Sequence, residues 1–175
     1  MTKTQIPKDQ IIIGLVETRQ NILLAAAVLP PETQNEIFLG TWSAFDLIAH
    51  LIGWDLTNIK AIKAVLASRL PDFYNHHDRD WKTYNDHLVT KYKKADFEAL
   101  LQSARDSHQE LIDFIKTVPD KEFNKDYGVR FKGYKVTIGR LLKAELDDEK
   151  KHYEQIENFR QQISNNVIQQ KEAAL

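Results

Sequence analysis

Residues 140–159 read "RLLKAELDDEKKHYEQIENF". Laid on a helix with its flanks, this stretch puts Ile138, Leu142, Glu145, Glu149, His152, Ile156, Phe159 and Ile163 on one stripe, at steps alternating four and three. That is the spacing of a helix with one face turned to the core of a bundle. The middle of the stripe is acidic and ends in a histidine, where leucines would normally fill a core. A lone charge in an apolar interior costs on the order of several kcal/mol. The stripe therefore asks for a cation, a charged partner or water.

Working outward, helical periodicity dominates the rest of the chain. A first segment over about 8–29 carries Ile12, Leu15, Ile22, Ala26 and Leu29 on one face, interrupted by Arg19, with Pro7 suited to its first turn. A second, over about 44–68, opens on Ser43 and Asp46 in capping-box spacing and carries a wide apolar arc with His50 at its margin. "RLPDFYNHHDRD" (69–80) reads as a loop, followed by a shorter helix over about 81–93. A third long segment, about 96–118, has Asp96 as its cap and Phe97, Leu101, Ala104, His108, Leu111, Ile115 and Val118 as its stripe, and "VPDKEF" stops it. "NKDYGVRFKGYK" (124–135) alternates and holds two glycines, the pattern of a small hairpin. The fourth long helix starts after Thr137 and runs to about 165, with a fraying tail. The expected fold is all-α, a four-helix bundle in one domain over 1–175, with a long connection between helices two and three. Long connections often carry function, which makes Trp81, Tyr84 and His87 candidates for covering a pocket; the aromatics could equally close an exposed end of the core.

Bulk properties set exclusions. The chain has 175 residues, 42% hydrophobic and 28% charged, with a formal net charge of −1. The balanced charge predicts no nucleic-acid partner and no membrane partner. No apolar run reaches the ~18 residues that span a bilayer. "MTKTQIPKDQ" has no apolar core of a secretion signal, and with no cysteine in the chain a cytoplasmic location is expected. The lack of cysteine also excludes disulfides, zinc–thiolate sites and a cysteine nucleophile.

On the fourth helix, Glu145, Asp148 and His152 share one face at i, i+3 and i+7. Asp148 and His152, at i and i+4, can bind one metal ion between them. The competing reading is a solvated, salt-bridged face, since Asp147, Glu149, Lys150 and Lys151 lie on the same helix. His108 fits a hydrogen-bonded core histidine better than a ligand, although its position could bring it to the interior polar cluster. "NHHD" (75–78) reads as a solvated loop. Gly53 beside Trp54 suggests packing, or room for a ligand near His50. The basic run over 129–143, with Arg130, Lys132, Lys135, Arg140 and Lys143, reads as a solvated surface or as a mouth for an anionic substrate or thiol cofactor.

"TWSAFDLIAHLIGWD" (41–55) has a tryptophan at the helix start, a histidine eight residues later and then "GW". With the four helices and the long second connection, it resembles the DinB/YfiT-like four-helix-bundle proteins. "LIGWD", "DWKTYNDHL" and the lysine-rich start of helix four are most similar to the ClbS/DfsB-type branch. The resemblance implies a divalent metal held by three histidines, one from helix two and two from an H-x-x-x-H on helix four. His50 and His152 match two of these positions, and the third falls on Asp148. Two imidazoles and a carboxylate still make a usable metal set, shifted from zinc or nickel toward iron or manganese. The ClbS-type branch also departs from three histidines, which implies chemistry without the usual triad.

The resemblance further implies an enzyme of stress response or detoxification. It would be a hydrolase or a transferase of a low-molecular-weight thiol, acting on a reactive electrophile. His50, Asp148 and His152 would hold the metal. Glu145 would be the general base or a partner to a histidine N–H, and Trp54, Trp81, Tyr84 and His108 would line the substrate site. Two rivals fit the same seam: a metal-free pocket that hydrolyses or sequesters a small molecule, and a non-catalytic homodimer associating through exposed aromatics.

Overall fold

The structure, a computed structural model, describes residues 7–75 and 80–173. Among the described residues there are six helices: α1 (Lys8–Ala27), α2 (Ala44–Leu66), α3 (Trp81–Tyr92), α4 (Phe97–Thr117), α5 (Asp120–Phe123) and α6 (Ile138–Ala173). Two short antiparallel strands, β1 (Arg130–Phe131) and β2 (Tyr134–Lys135), form the expected hairpin, turning through Lys132 and Gly133 at positive φ. The all-α bundle is made by α1, α2, α4 and α6. Helix α1 packs mainly on α6, and α2 on α4, while α3 lies within the long connection and packs on α2.

The helix starts follow local chemistry. The Asp46 carboxylate reaches back to accept both the Ser43 N–H (2.9 Å) and its hydroxyl (2.8 Å), and Asp96 accepts the Ala99 N–H (2.6 Å). Two boundaries differ from the sequence expectation. "PDKEF" does not simply stop α4 but forms the one-turn α5, which buries Phe123 in the core. Helix α6 continues past 165 to Ala173 instead of fraying. No helix among the described residues is long and apolar enough to cross a membrane.

The apolar core is split into two blocks. One holds Ile22, Leu47, Ile48, Leu101, Ile156 and their neighbours. The other holds Leu15, Ile62, Leu111, Ile115, Leu142 and theirs. On each long helix the break between blocks falls on polar residues: Arg19 on α1, Asp55 and Asn58 on α2, Ser107 and His108 on α4, and Glu149 on α6, all buried. A single polar layer thus crosses the bundle.

Close packing at two glycines fixes the helix spacing. A Cβ at Gly14 would meet Leu146 Cδ2 at 2.8 Å. A Cβ at Gly53 would meet Leu88 Cβ at 2.7 Å, so α3 docks on α2 where a side chain is missing. The space beside Gly53 is therefore filled by Leu88 and is not left for a ligand.

Candidate metal centre and its cavity

Much of the polar layer is closed on itself. Arg19 Nη1 and Nη2 donate to the two carboxylate oxygens of Asp55 at 2.8 and 2.9 Å. Its Nη2 and Nε donate to Glu149 at 2.5 and 3.3 Å. The Ser107 hydroxyl donates to Asp55 at 2.6 Å, and His108 Nδ1 lies 3.5 Å from the same carboxylate. Arg19, Asp55 and Glu149 are essentially without exposure at 1%, 0% and 1%, so this is a fully desolvated ion network. Such a network survives only when every charge is met. Burial raises the Asp55 pKa, but the adjacent Arg19 cation outweighs it and holds the carboxyl below the ordinary range.

The candidate metal residues lie in a separate group that also draws on α2 and α6. His50 on α2 is buried at 3% exposure, with its ring against Trp42 at 4.7 Å between centroids and edge-on to His152 at 5.1 Å. Asp148 and His152 are one turn apart on α6. One ligand atom from each of His50, Asp148 and His152 falls within 4.8 Å of the others. His152 Nδ1–H donates to Gln155 Oε1 at 2.8 Å, which leaves Nε2 as the lone-pair nitrogen. That Nε2 is buried and lacks a hydrogen-bond partner, as does His50 Nδ1. Asp148 Oδ2 lies 3.4 Å from His152 Nε2 without hydrogen-bond alignment.

Electrostatics favour the ligand form of His50. Burial, aided by the neighbouring His152, pushes the His50 pKa down to about 3, so its imidazole is neutral. Two imidazoles and a carboxylate with ligand atoms within 4.8 Å fit a divalent cation by donor chemistry, and the unpartnered burial of His152 Nε2 beside Asp148 costs about 1–3 kcal/mol without one.

Asp148 also lines a cavity of about 490 Å³. Trp54, Trp81, Glu145, Asn58 and Lys151 share that wall. Burial, then repulsion from Glu149, raises the Glu145 pKa to about 8, so it carries a proton at neutral pH. The cavity thus brings Asp148, one of the three candidate ligands, together with a protonated carboxyl and an aromatic wall.

Two sequence candidates lie apart from this cavity. Tyr84 packs behind it, 5.5 Å from the Trp54 ring and 6.1 Å from Trp81, and lines the neighbouring cleft with His87. His108 belongs to the Arg19 network and borders a separate cavity between α1 and α4. Of the "NHHD" loop, residues 76–78 fall outside the described residues. In the basic run over 129–143, Arg130 and Lys135 both pair with Asp126 (2.7 and 2.6 Å), and Lys143 pairs with Asp147 (2.5 Å). Those charges are largely matched by local acids, which suits a solvated surface better than an anion-attracting mouth.

Sequence reasoning missed Asp55 and Ser107 and treated Arg19 as a mere interruption. The available signal was a cation and anions at core positions of different helices, which must meet if the chain is to fold.

Comparison with known proteins places this geometry in a family. Residues 15–156 match the model of the DinB superfamily. An uncharacterised protein from Escherichia coli UTI89 superposes with a TM-score of 0.75 at 16% identity, covering 94% of this chain and 98% of its own. The sibling lethal factor precursor DfsB superposes at 0.75 with 12% identity, covering 91% and 98%. The colibactin self-resistance protein ClbS, solved in complex with a dsDNA, superposes at 0.72 with 17% identity, covering 89% and 96%. No curated protein matches the sequence. The ClbS complex overturns the exclusion of nucleic acid drawn from net charge: a near-zero total hides how charge is distributed, and binding follows the local distribution. The chain belongs to the DinB superfamily, and its structural neighbours include ClbS and DfsB.

Proposed function

We propose that this protein is a metal-dependent small-molecule hydrolase that disarms a reactive electrophile. The observation that carries the reading is the convergence of one ligand atom each from His50, Asp148 and His152 within 4.8 Å, with Asp148 at the wall of a cavity that also holds Glu145. Superfamily membership and the likeness to a self-resistance protein support a role in stress or detoxification.

His50, Asp148 and His152 would hold the ion, which when bound would supply Lewis acidity. The chain's own groups do the rest. Trp54 and Trp81 give the cavity an aromatic wall that takes the apolar body of a substrate and keeps bulk water out. Trp54 is fixed by its Nε1–H donating to Asn85 Oδ1 at 3.0 Å. Glu145, protonated at neutral pH, would give its proton to a leaving group or opened ring and recover it from attacking water. The Gln155 contact keeps the His152 ring in one tautomer.

Elemental analysis of protein purified without a metal-binding tag tests the reading. We expect about one divalent ion per chain, lost in His152→Ala and retained in Glu145→Gln, with hydrolysis of a model epoxide or cyclopropane lost in both. Equal metal content in wild type and His152→Ala would end the metal-dependent reading. Metal without turnover in the wild type would turn it into a sequestering site.

A further inference from the structure

We propose that the cleft between α2 and α3 is a second binding site, one that takes a phosphate group. This site is separate from the metal centre and does not depend on it. The cleft, about 490 Å³, is lined by Lys60 and Lys63 from α2, Arg69 just beyond it, and Lys91 from α3. Asp72 is the one carboxylate on its described wall, so four basic residues border the cleft against one acid.

These cations differ from others on the same molecule. Among the described residues, no carboxylate lies within ion-pair distance of Lys60, Lys63, Arg69 or Lys91. On the hairpin, by contrast, Arg130 and Lys135 share Asp126. Lys63 and Lys91 instead rest over the rings of Phe114 and Tyr92, each 5.2 Å from the centroid. Such contacts orient an ammonium group without neutralising it. Like charges gathered in one concavity repel each other and raise the local concentration of anions. A phosphate, with several oxygens and at least one full negative charge, can accept charge-assisted hydrogen bonds from several of them at once.

The rest of the wall suits what a phosphate is attached to. Tyr84 and Tyr92 line the cleft and give it an aromatic side beside which a base or another flat group can pack. Phe73 lines both this cleft and the cavity beside Asp148, and Tyr84 backs Trp54 and Trp81. A molecule anchored by its phosphate in the cleft is therefore held one aromatic layer from the cavity. A phosphodiester of nucleic acid and a free phosphate ester share this chemistry.

The full chain tests the proposal, with inorganic pyrophosphate, adenosine monophosphate and a duplex of about twelve base pairs as probes, read by calorimetry and anisotropy at two salt concentrations. Lys60→Gln/Lys63→Gln and Lys91→Gln are compared with Lys135→Gln as the acid-paired control. All these side chains are exposed, so the fold is retained, as checked by an unchanged thermal midpoint. We expect at least one probe to bind. The double variant should weaken it about tenfold or more, the control should leave it unchanged, and for the duplex the salt slope should fall by about 0.9 per contact removed. Binding of the duplex but not the nucleotide identifies a nucleic-acid backbone, and the reverse identifies a free phosphate ester; both support the site. The proposal is overturned if no probe binds the wild type, or if the cleft variants bind as tightly as it does. Metal content stays at the wild-type value in every cleft variant, which separates this outcome from that of the metal reading.

Discussion

Asp55, His108 and Glu149 on one side, and His50, Asp148 and His152 on the other, are two clusters of the same residue types, each with ligand-capable atoms within 4.8 Å of one another. Both draw on α2 and α6. They differ in whether a buried cation of the chain sits among the donors. In the first, the Arg19 guanidinium sits between the carboxylates and makes four hydrogen bonds to them. In the second no buried cation sits among the donors: an exposed Lys151 lies 3.9 Å from Asp148 Oδ1, and the buried His50 Nδ1 and His152 Nε2 have no hydrogen-bond partner, as His108 Nε2 has none in the first. Proximity of acids and imidazoles is thus a weak sign of a metal site, while uncompensated proximity is a stronger one.

The comparison can be broken most forcefully at Arg19. Arg19→Ala leaves two buried carboxylates facing each other, and urea denaturation should show a loss of about 3–5 kcal/mol. A loss under 1 kcal/mol would mean the network is not the closed unit described. The open cluster should respond to a supplied cation instead. With a divalent ion at a hundred times its dissociation constant, the wild type should gain about 2.7 kcal/mol and His152→Ala almost nothing.

Titration gives a smaller and sharper test. Folding raises the Glu145 pKa from 4.5 to about 8, so between those values the folded chain holds a proton that the unfolded chain has lost. Stability from this group therefore falls as pH rises through that window, and Glu145→Gln should flatten the profile. For His50 the folded value of about 3 lies below the ordinary 6.5. The unfolded chain binds the extra proton there, so stability falls as pH drops from about 6.5 toward 3, and His50→Leu should remove that limb. The smallest effect distinguishes the clusters most directly. In metal-free protein His50→Leu should change stability at neutral pH by less than about 1 kcal/mol, or raise it, because no hydrogen bond is lost at Nδ1.

How much of this was legible in the sequence depended on how local the signal was. The four-three stripe of α6 marked its buried face, including Glu149 at 1% exposure, because helical periodicity is written within one segment. Asp46 and Asp96 marked the helix starts for the same reason. The Arg19–Glu149 contact spans 130 residues and leaves no periodic trace, so Arg19 looked like a flaw in an apolar face. Asp55 is a single acid beside the apolar arc of α2, and nothing local signals its burial. The grouping of His50 with Asp148 and His152 came from family resemblance. The cations of the α2–α3 cleft, unpaired among the described residues, cannot be told from sequence, where they look like any solvated basic residues.

The missing side chain at Gly53 has a mechanical consequence. Because Leu88 Cβ would come within 2.7 Å of any Cβ there, even alanine would act as a wedge prying α3 from α2. Trp81, Tyr84 and Lys91 all ride on α3, so one added methyl would shift the roof of the cavity and the rim of the cleft together. The two hollows are mechanically geared to each other through a single hydrogen-sized gap.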